Sequence, residues 1–418
     1  MHTIKRRIRI YGLTMKYDVI IIGGGQAGSM LATTLRQQKF SGSILIISNE
    51  DHQPYQRPPL SKGFLTGFTS TKSLYFKSPA YYEENQIDIL LNNSVGRINR
   101  NNKTIDLKNG SRFFYKKLVI ATGSKLKKLS LDCDKEDIYY LKTINHSMRI
   151  RSLLEQQQKI VIIGAGYIGL EIAAAASKKN QQVIVLEADN RVMRRSVCPE
   201  TSRFFEFIHK QEGVNFFFNA LIKNIHQQDN QKMITLNNYG SINADAIIIG
   251  VGVSPKIDLA LEAGLDCQDG ITVNKFCQTS DDNIFAIGDC ANHFNSIYNQ
   301  RLRLESVQNA IEQAKIAAAM INEMDLPQDQ IPWFWSDQHN IKLKIAGISK
   351  GYDNYVLRGD VTEKKFSVFY VKNGRLIALE TINDNKLFSV GKKLIKNQAS
   401  IPIKELEDKE SDLRSWLL

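Results

Sequence analysis

Two glycine loops in this chain have the residue types and spacing to hold a pyrophosphate. Gly23-Gly-Gly-Gln-Ala-Gly28 follows the apolar run Tyr17-Asp-Val-Ile-Ile-Ile22, and Gly164-Ala-Gly-Tyr-Ile-Gly169 follows Ile160-Val-Ile-Ile163. In G-x-G-x-x-G the first glycine makes a tight turn, the second lets backbone approach phosphate, and the third lets the following helix pack on the strand. The phosphates then meet free N–H groups at the positive end of that helix. Each loop is followed by a helical pattern and a second apolar strand, Ile44-Leu-Ile-Ile47 in the first copy and Val183-Ile-Val-Leu-Glu187 in the second. Strand, turn, helix and strand is the unit of a parallel sheet. The chain therefore carries two dinucleotide-binding patterns about 140 residues apart.

The strand ends say which nucleotides. Glu187 lies 23 residues after Gly164. An acid there accepts from ribose hydroxyls and repels a 2′-phosphate, which favours NADH over NADPH. Arg191, Arg194 and Arg195 follow it, and an arginine among them could contact adenosine phosphates. In the first copy either Asn49 or Glu50 is placed to meet the other nucleotide's ribose. Further apolar strands end in glycine at Leu118-Val-Ile-Ala-Thr-Gly123, Ala246-Ile-Ile-Ile-Gly-Val-Gly252 and Ile284-Phe-Ala-Ile-Gly-Asp289. A helix is expected from about Ser306 to Met320, and a hairpin around Lys372-Asn-Gly374.

These residues resemble the two-dinucleotide flavoprotein reductases, in which the first loop holds FAD and the second NAD(P)H. Three motifs sharpen the match: Pro54-Tyr-Gln-Arg-Pro-Pro-Leu-Ser-Lys62, Glu305-Ser-Val-Gln-Asn-Ala310 and Pro332-Trp-Phe-Trp-Ser-Asp-Gln338. They look like the NADH-dependent ferredoxin reductases of oxygenase systems. The implied fold is α/β, with two Rossmann-like, glutathione-reductase-like dinucleotide domains and a C-terminal α+β domain. The expected division is a basic extension (1–15), an FAD domain in two parts (16–124 and 253–326), an NADH domain (125–252) and the C-terminal domain (327–418).

The resemblance also implies site residues. For FAD these are Gly23, Gly25, Ala27, Gly28, Asn49, Glu50, Arg57, Lys62, Val95, Ala121, Thr122, Gly123, Lys142, Asp289 and Val307. Asp289 matches the aspartate that bonds the ribityl chain, and Lys142 stands where arginine is usual. For NADH they are Gly164, Gly166, Tyr167, Ile168, Gly169, Glu171, Glu187, Arg195 and Gly252. Lys62 is expected on a stretch that opens a helix, and Glu171 in the first turn of the second nucleotide helix. A Lys62–Glu171 pair would set a cation where the reduced flavin gains negative charge, with Trp335 over flavin or nicotinamide and the helix at Val307 aimed at the flavin. Hydride transfer needs no general base; it needs donor and acceptor atoms held roughly 3–3.5 Å apart.

Composition narrows the acceptor. The 418 residues hold 55 Lys plus Arg against 43 Asp plus Glu, a net +12. Lys5, Arg6, Arg7, Arg9 and Lys16 lie in an acid-free start, which is too polar for a signal peptide, and the rest of the chain stays basic. No stretch is long and apolar enough for a membrane-spanning helix. The five cysteines, Cys133, Cys198, Cys267, Cys277 and Cys290, form no C-x-x-C, which argues against disulfide, zinc or iron–sulfur sites and fits a reducing cytoplasm. None precedes Cys133, where the disulfide, peroxide and coenzyme A disulfide relatives need one. Electrons are thus expected to leave the flavin directly for an outside acceptor; the resemblance implies a small acidic iron–sulfur ferredoxin, docked near Lys77, Lys315 and Lys344. The alternatives are a small-molecule reductase of the monodehydroascorbate type, or a flavoprotein with a binding role like apoptosis-inducing factor. Basic charge without a nucleic-acid motif is weak support for the latter. No nucleic-acid partner and no metal is expected, and the oligomeric state is left open between monomer and homodimer.

Overall fold

The computed structural model describes residues 15–129, 137–229 and 231–417, and it divides into two compact units. The first holds Met15–Gln56, Tyr75–Lys125 and Ser254–Gln330 of the described chain. Its seven-stranded sheet runs Ile87–Leu90, Ile44–Ile47, Met15–Ile22, Arg112–Ile120, then Thr104–Leu107 and Val95–Asn99. Ile284–Ala286 also pairs with Arg112–Ile120. The central strands are parallel, with Ile22 level with Ile47 on one side and Ile120 on the other. Their near-unbroken isoleucine, leucine and valine content follows from burial on both faces. The first strand thus begins at Met15, one residue before the expected domain start; residues 1–14 and Cys133 lie outside the described residues.

The first nucleotide helix, Gln26–Gln37, packs along the helix Val307–Ile321. Ser306 caps the latter, its hydroxyl accepting from the Asn309 N–H at 3.2 Å.

The second unit holds Arg57–Leu74, Leu126–Val253 and Ile331–Leu418. Its parallel sheet runs Asn215–Phe217, Gln182–Leu186, Lys159–Ile163, Ala246–Ile249, Ile138–Tyr140. A three-stranded antiparallel sheet, Ile222–Gln228, Gln231–Leu236 and Gly240–Ala244, adjoins it in sequence. The C-terminal part is a five-stranded antiparallel sheet in the order Trp333–Gln338, Ile341–Gly347, Arg375–Ile382, Lys365–Lys372, Asn354–Asp360, covered by the helix Asn385–Lys396. The expected hairpin is present. Asn373 and Gly374 both take positive φ, 49° and 73°, the two left-handed positions a tight hairpin turn needs.

One local expectation needs correction. Lys62 does not open a helix: Pro58–Ser61 is a single 3-10 turn and Lys62 ends it. The Arg57–Leu74 segment groups with the second unit because its own polar groups anchor there; the Ser147 hydroxyl donates to Leu60 O at 2.7 Å and the Arg57 guanidinium to Lys142 O at 2.5 Å. The tail forms two short helical stretches, Ile403–Glu407 and Leu413–Trp416. Among the described residues no helix is long and apolar enough to cross a membrane.

Candidate active site

The two glycine loops have the same geometry. A Cβ on Gly23 would lie 2.2 Å from Ala121 O, and one on Gly28 2.1 Å from Gly23 O. In the second loop a Cβ on Gly164 would lie 2.6 Å from Gly250 O, and one on Gly169 2.1 Å from Gly164 O. The outer glycines are therefore demanded by the protein's own backbone. The middle ones are not: a Cβ on Gly25 or Gly166 would meet nothing within 4 Å. Both cap their helices without any side-chain hydrogen bond. That combination, an open cradle at an uncapped helix N-terminus, fits a pyrophosphate at each loop.

Around the first loop, Ala27 is buried and lies under Gly288, next to Asp289. Asp289 sits in the 3-10 turn Gly288–Cys290 and accepts from the Ser124 hydroxyl at 2.9 Å. Thr122 donates to Lys256 O at 2.7 Å, and the Lys256 N–H donates to Gly123 O at 2.9 Å, so the Ala121-Thr-Gly123 strand end is tied down by backbone. Glu50 accepts from the Tyr55 hydroxyl at 2.5 Å, whereas Asn49 is exposed. Val95 is a core side chain of this unit. Val307 is the first residue of its helix.

Around the second loop, Glu187 closes back onto the glycines. Its Oε2 accepts from the Ala165 N–H at 2.7 Å and its Oε1 from the Asp189 N–H at 2.9 Å. The three arginines separate clearly. Arg191 is consumed by Val197 O, Cys198 O, Arg194 O and the Ser202 hydroxyl. Arg194 pairs with Asp189 at 2.8 Å. Arg195 is exposed, as is Ile168, and Gly252 takes φ +96° with open space where a Cβ would be.

Lys62 and Glu171 do meet. Lys62 Nζ lies 2.7 Å from Glu171 Oε2, and the same oxygen accepts from the Ser61 hydroxyl at 2.5 Å. Glu171 Oε1 accepts from the Ser336 hydroxyl at 2.6 Å. Glu171 lies outside the first turn of the helix, contrary to expectation. The helix begins at Tyr167, which puts Glu171 one turn further in, on the face toward the strand Trp333–Gln338, at 5% exposure. A carboxylate so deeply buried is sustained by its three donors, since an unpaired one would cost several kcal/mol, about 3–5 for loss of one partner of a buried pair. Lys62 is 22% exposed.

That strand presents two faces, as its period of two requires. Phe334, Ser336 and Gln338 turn inward, with Phe334 4.6 Å from the Tyr167 ring. Trp333 and Trp335 share the other face, centroids 5.8 Å apart. Trp333 also meets Phe388 at 5.5 Å. Lys344 lies 5.2 Å over Phe388 and Lys392 5.4 Å over Trp333. In the first unit Lys315 is exposed, and Lys77 lies 4.7 Å over Tyr81. Sequence reasoning missed Ser61, Ser336, Gln338 and Lys392. Ser61 stands in the Pro54–Lys62 motif and Ser336 and Gln338 in the Pro332–Gln338 motif, where alternation along the strand was the signal that could have found the last two.

The four described thiols are inert by environment. Burial raises Cys198 to about 12 and also raises Cys267, Cys277 and Cys290. All four are free, and Cys290 is a buried filler facing Ile120 O and Ile287 O. Only the thiolate reacts as a nucleophile, so these groups are poor redox relays near neutral pH.

Two dinucleotide cradles, and no reactive thiol among the described residues, define a flavin- and NAD(P)H-dependent oxidoreductase. The chain belongs to the pyridine nucleotide-disulphide oxidoreductase family, whose model matches residues 17–314, and it carries the Reductase C-terminal domain over residues 333–417. It is 36% identical to putidaredoxin reductase of Pseudomonas putida over 93% of this chain and 96% of that one. It is 35% identical to rhodocoxin reductase of Rhodococcus erythropolis over 95% and 93%. Among solved structures, a covalent putidaredoxin reductase–putidaredoxin complex matches with TM-score 0.93 and 34% identity, over 96% of this chain and 98% of that one. A ferredoxin reductase from Rhodopseudomonas palustris matches with TM-score 0.92 and 36% identity, over 96% and 100%. Like these relatives, the chain binds FAD and uses NAD(P)H.

Proposed function

We propose that this protein takes hydride from NADH and delivers the electrons one at a time to a small acidic iron–sulfur ferredoxin that feeds an oxygenase or P450, in the cytoplasm. The balance is NADH plus two oxidised ferredoxins giving NAD⁺, two reduced ferredoxins and one proton. FAD, when bound, supplies the conversion between the two-electron and one-electron sides. The observation that carries the reading is the pair of open glycine cradles in one chain whose four described thiols all have raised pKa values, three of them buried. The named relatives support it.

The chain's own residues then have distinct tasks. Gly25 and Gly166 leave room for phosphates at the two helix N-termini. Asp289 and the Ala121-Thr-Gly123 strand end hold the flavin nucleotide, with Arg57 and Lys142 as further contacts. Glu187 selects the unphosphorylated ribose, and Asp189 keeps Arg194 from offering a cation to a 2′-phosphate. Lys62, fixed by Glu171, stabilises negative charge developing on the acceptor during hydride transfer, a preorganised contribution that needs no reorganisation at the moment of reaction. Lys77, Lys315 and Lys344, joined by Lys392, steer an acidic partner. Residues 16–124 and 253–326 act as the FAD domain and 125–252 as the NADH domain.

The test is anaerobic titration of the purified holoprotein with NADH, followed by candidate ferredoxins. One equivalent of NADH should bleach one non-covalent FAD, and ferredoxin should restore the oxidised spectrum. Protein that cannot be reconstituted with FAD refutes the first step. Bleached protein that reduces quinones or ascorbate radical but no ferredoxin refutes the second.

A further inference from the structure

Four hydrogen bonds in the second unit form a single buried string ending on Glu171, and chemistry fixes their direction. Burial holds the His209 pKa down to about 4, so near neutral pH its ring is neutral and carries one N–H. His209 Nε2 lies 2.9 Å from Gln338 Oε1, an amide oxygen that can only accept, so the proton is on Nε2. His209 Nδ1 can then only accept, and its partner at 3.2 Å, His339 Nε2, donates to it. The Gln338 amide nitrogen donates to Ser336 Oγ at 3.2 Å, which leaves the serine proton free for Glu171 Oε1 at 2.6 Å. His339, Gln338 and Ser336 come from one strand and its turn, His209 from the helix Pro199–Gln211, and Glu171 from the second nucleotide helix. Lys178 near His339 and Glu212 near His209 are the charged groups that face the histidine end. All four donors point toward the carboxylate, and aligned bonds in a low-dielectric interior polarise one another.

We propose that Ser336 and Gln338 are positioning residues that fix the Glu171 carboxylate, and through it the Lys62 ammonium. Ser336 holds Oε1 while Ser61 and Lys62 share Oε2, so the carboxylate cannot rotate without breaking a bond at each end. The inference rests on the proposed role of the Lys62–Glu171 pair in hydride transfer.

Stopped-flow reduction of the holoenzyme by NADH, together with ¹⁵N NMR of its histidine rings, tests it. Ser336→Ala should slow flavin reduction about tenfold at saturating NADH, the loss of one charge-assisted hydrogen bond, with the NAD⁺ dissociation constant unchanged. Ser336→Thr, which keeps the hydroxyl, should recover most of the rate. Gln338→Met should slow it less, and the double variant Ser336→Ala, Gln338→Met should be no slower than Ser336→Ala, because members of one string are not additive. His209 should show the Nε2–H tautomer at neutral pH, with its resonances moved by Ser336→Ala. A wild-type rate in both single variants, losses that multiply in the double variant, or an Nδ1–H tautomer at His209 overturns the proposal. Lys62→Met and Glu171→Gln are measured alongside. If neither slows reduction, the reading of the pair fails; if both do and Ser336→Ala does not, only the string fails.

Discussion

Glu380 makes the stability of the second unit depend on pH in a direction that can be stated in advance. It lies in the strand Arg375–Ile382 at 1% exposure. Its Oε1 accepts from the Cys198 N–H at 3.1 Å, the first residue before the helix Pro199–Gln211, and from the Tyr370 hydroxyl. Thr201 and Arg191 also favour its charged form, but burial outweighs them and raises the carboxyl from 4.5 to about 7. The same surroundings raise the Tyr370 phenol. A gap of that size corresponds to on the order of 3 kcal/mol. Below pH 4.5 the group is protonated whether the chain is folded or not. Between 4.5 and 7 the folded state keeps a proton that the unfolded state has lost, so this contribution is present at acid pH and is lost as pH rises through 7. His209 and His339, both pushed down to about 4 by burial, have the opposite sign: their contribution is lost as pH falls from 6.5 toward 4. Glu380→Gln keeps the accepting oxygen and removes the titration, while the histidines act equally in both proteins. Melting of wild type and Glu380→Gln is therefore compared at pH 5, 6, 7 and 8. The variant should gain on the wild type from pH 5 to pH 8 by about 3 kcal/mol, or roughly 6–12 °C for a unit of this size. Two melting curves that run parallel across the range would refute the reasoning.

Lys62→Met should retain FAD and slow its reduction by NADH about tenfold or more in stopped flow, since one preorganised charge is lost; an unchanged rate returns Lys62 to a structural role. Replacing all five cysteines by serine or alanine should leave NADH–ferricyanide turnover largely intact, and loss of turnover with FAD still bound would reveal a redox thiol. NADH should exceed NADPH in kcat/KM by at least about tenfold, ~1.4 kcal/mol. Asp189→Asn, by freeing Arg194 from a half-exposed pair, should improve NADPH about two- to fivefold; no change would show that Arg194 does not reach the ribose end. Lys315→Glu with Lys344→Glu should depress ferredoxin reduction strongly while sparing ferricyanide, and the wild-type ferredoxin rate should fall as salt rises, because screening acts over about 8 Å at physiological ionic strength. Ferredoxin rates indifferent to both charge reversal and salt would remove the steering role.

What the sequence by itself determined was local. A glycine loop between an apolar strand and a helix is specified by some thirty consecutive residues, and the backbone clashes at Gly23, Gly28, Gly164 and Gly169 show why no other residue would serve. The hairpin at Asn373-Gly374 and the helix starting near Ser306 were legible for the same reason. Cysteine placement argued against thiol chemistry, and for the four described thiols burial supplies the physical cause. Tertiary structure alone decided the surroundings of Glu171. Its hydroxyl donors stand 110 and 165 residues away in sequence, and no periodicity within the nucleotide helix shows that a distant strand will cover that face. The arginines after Glu187 were equally opaque. Adjacent residues of one type had three different fates, because Arg191 found buried carbonyls, Arg194 found Asp189, and Arg195 was left in solvent. Local pattern sets which chain segments can bind phosphate; only packing between segments remote in sequence sets which charged side chains are spent on structure and which stay available for chemistry.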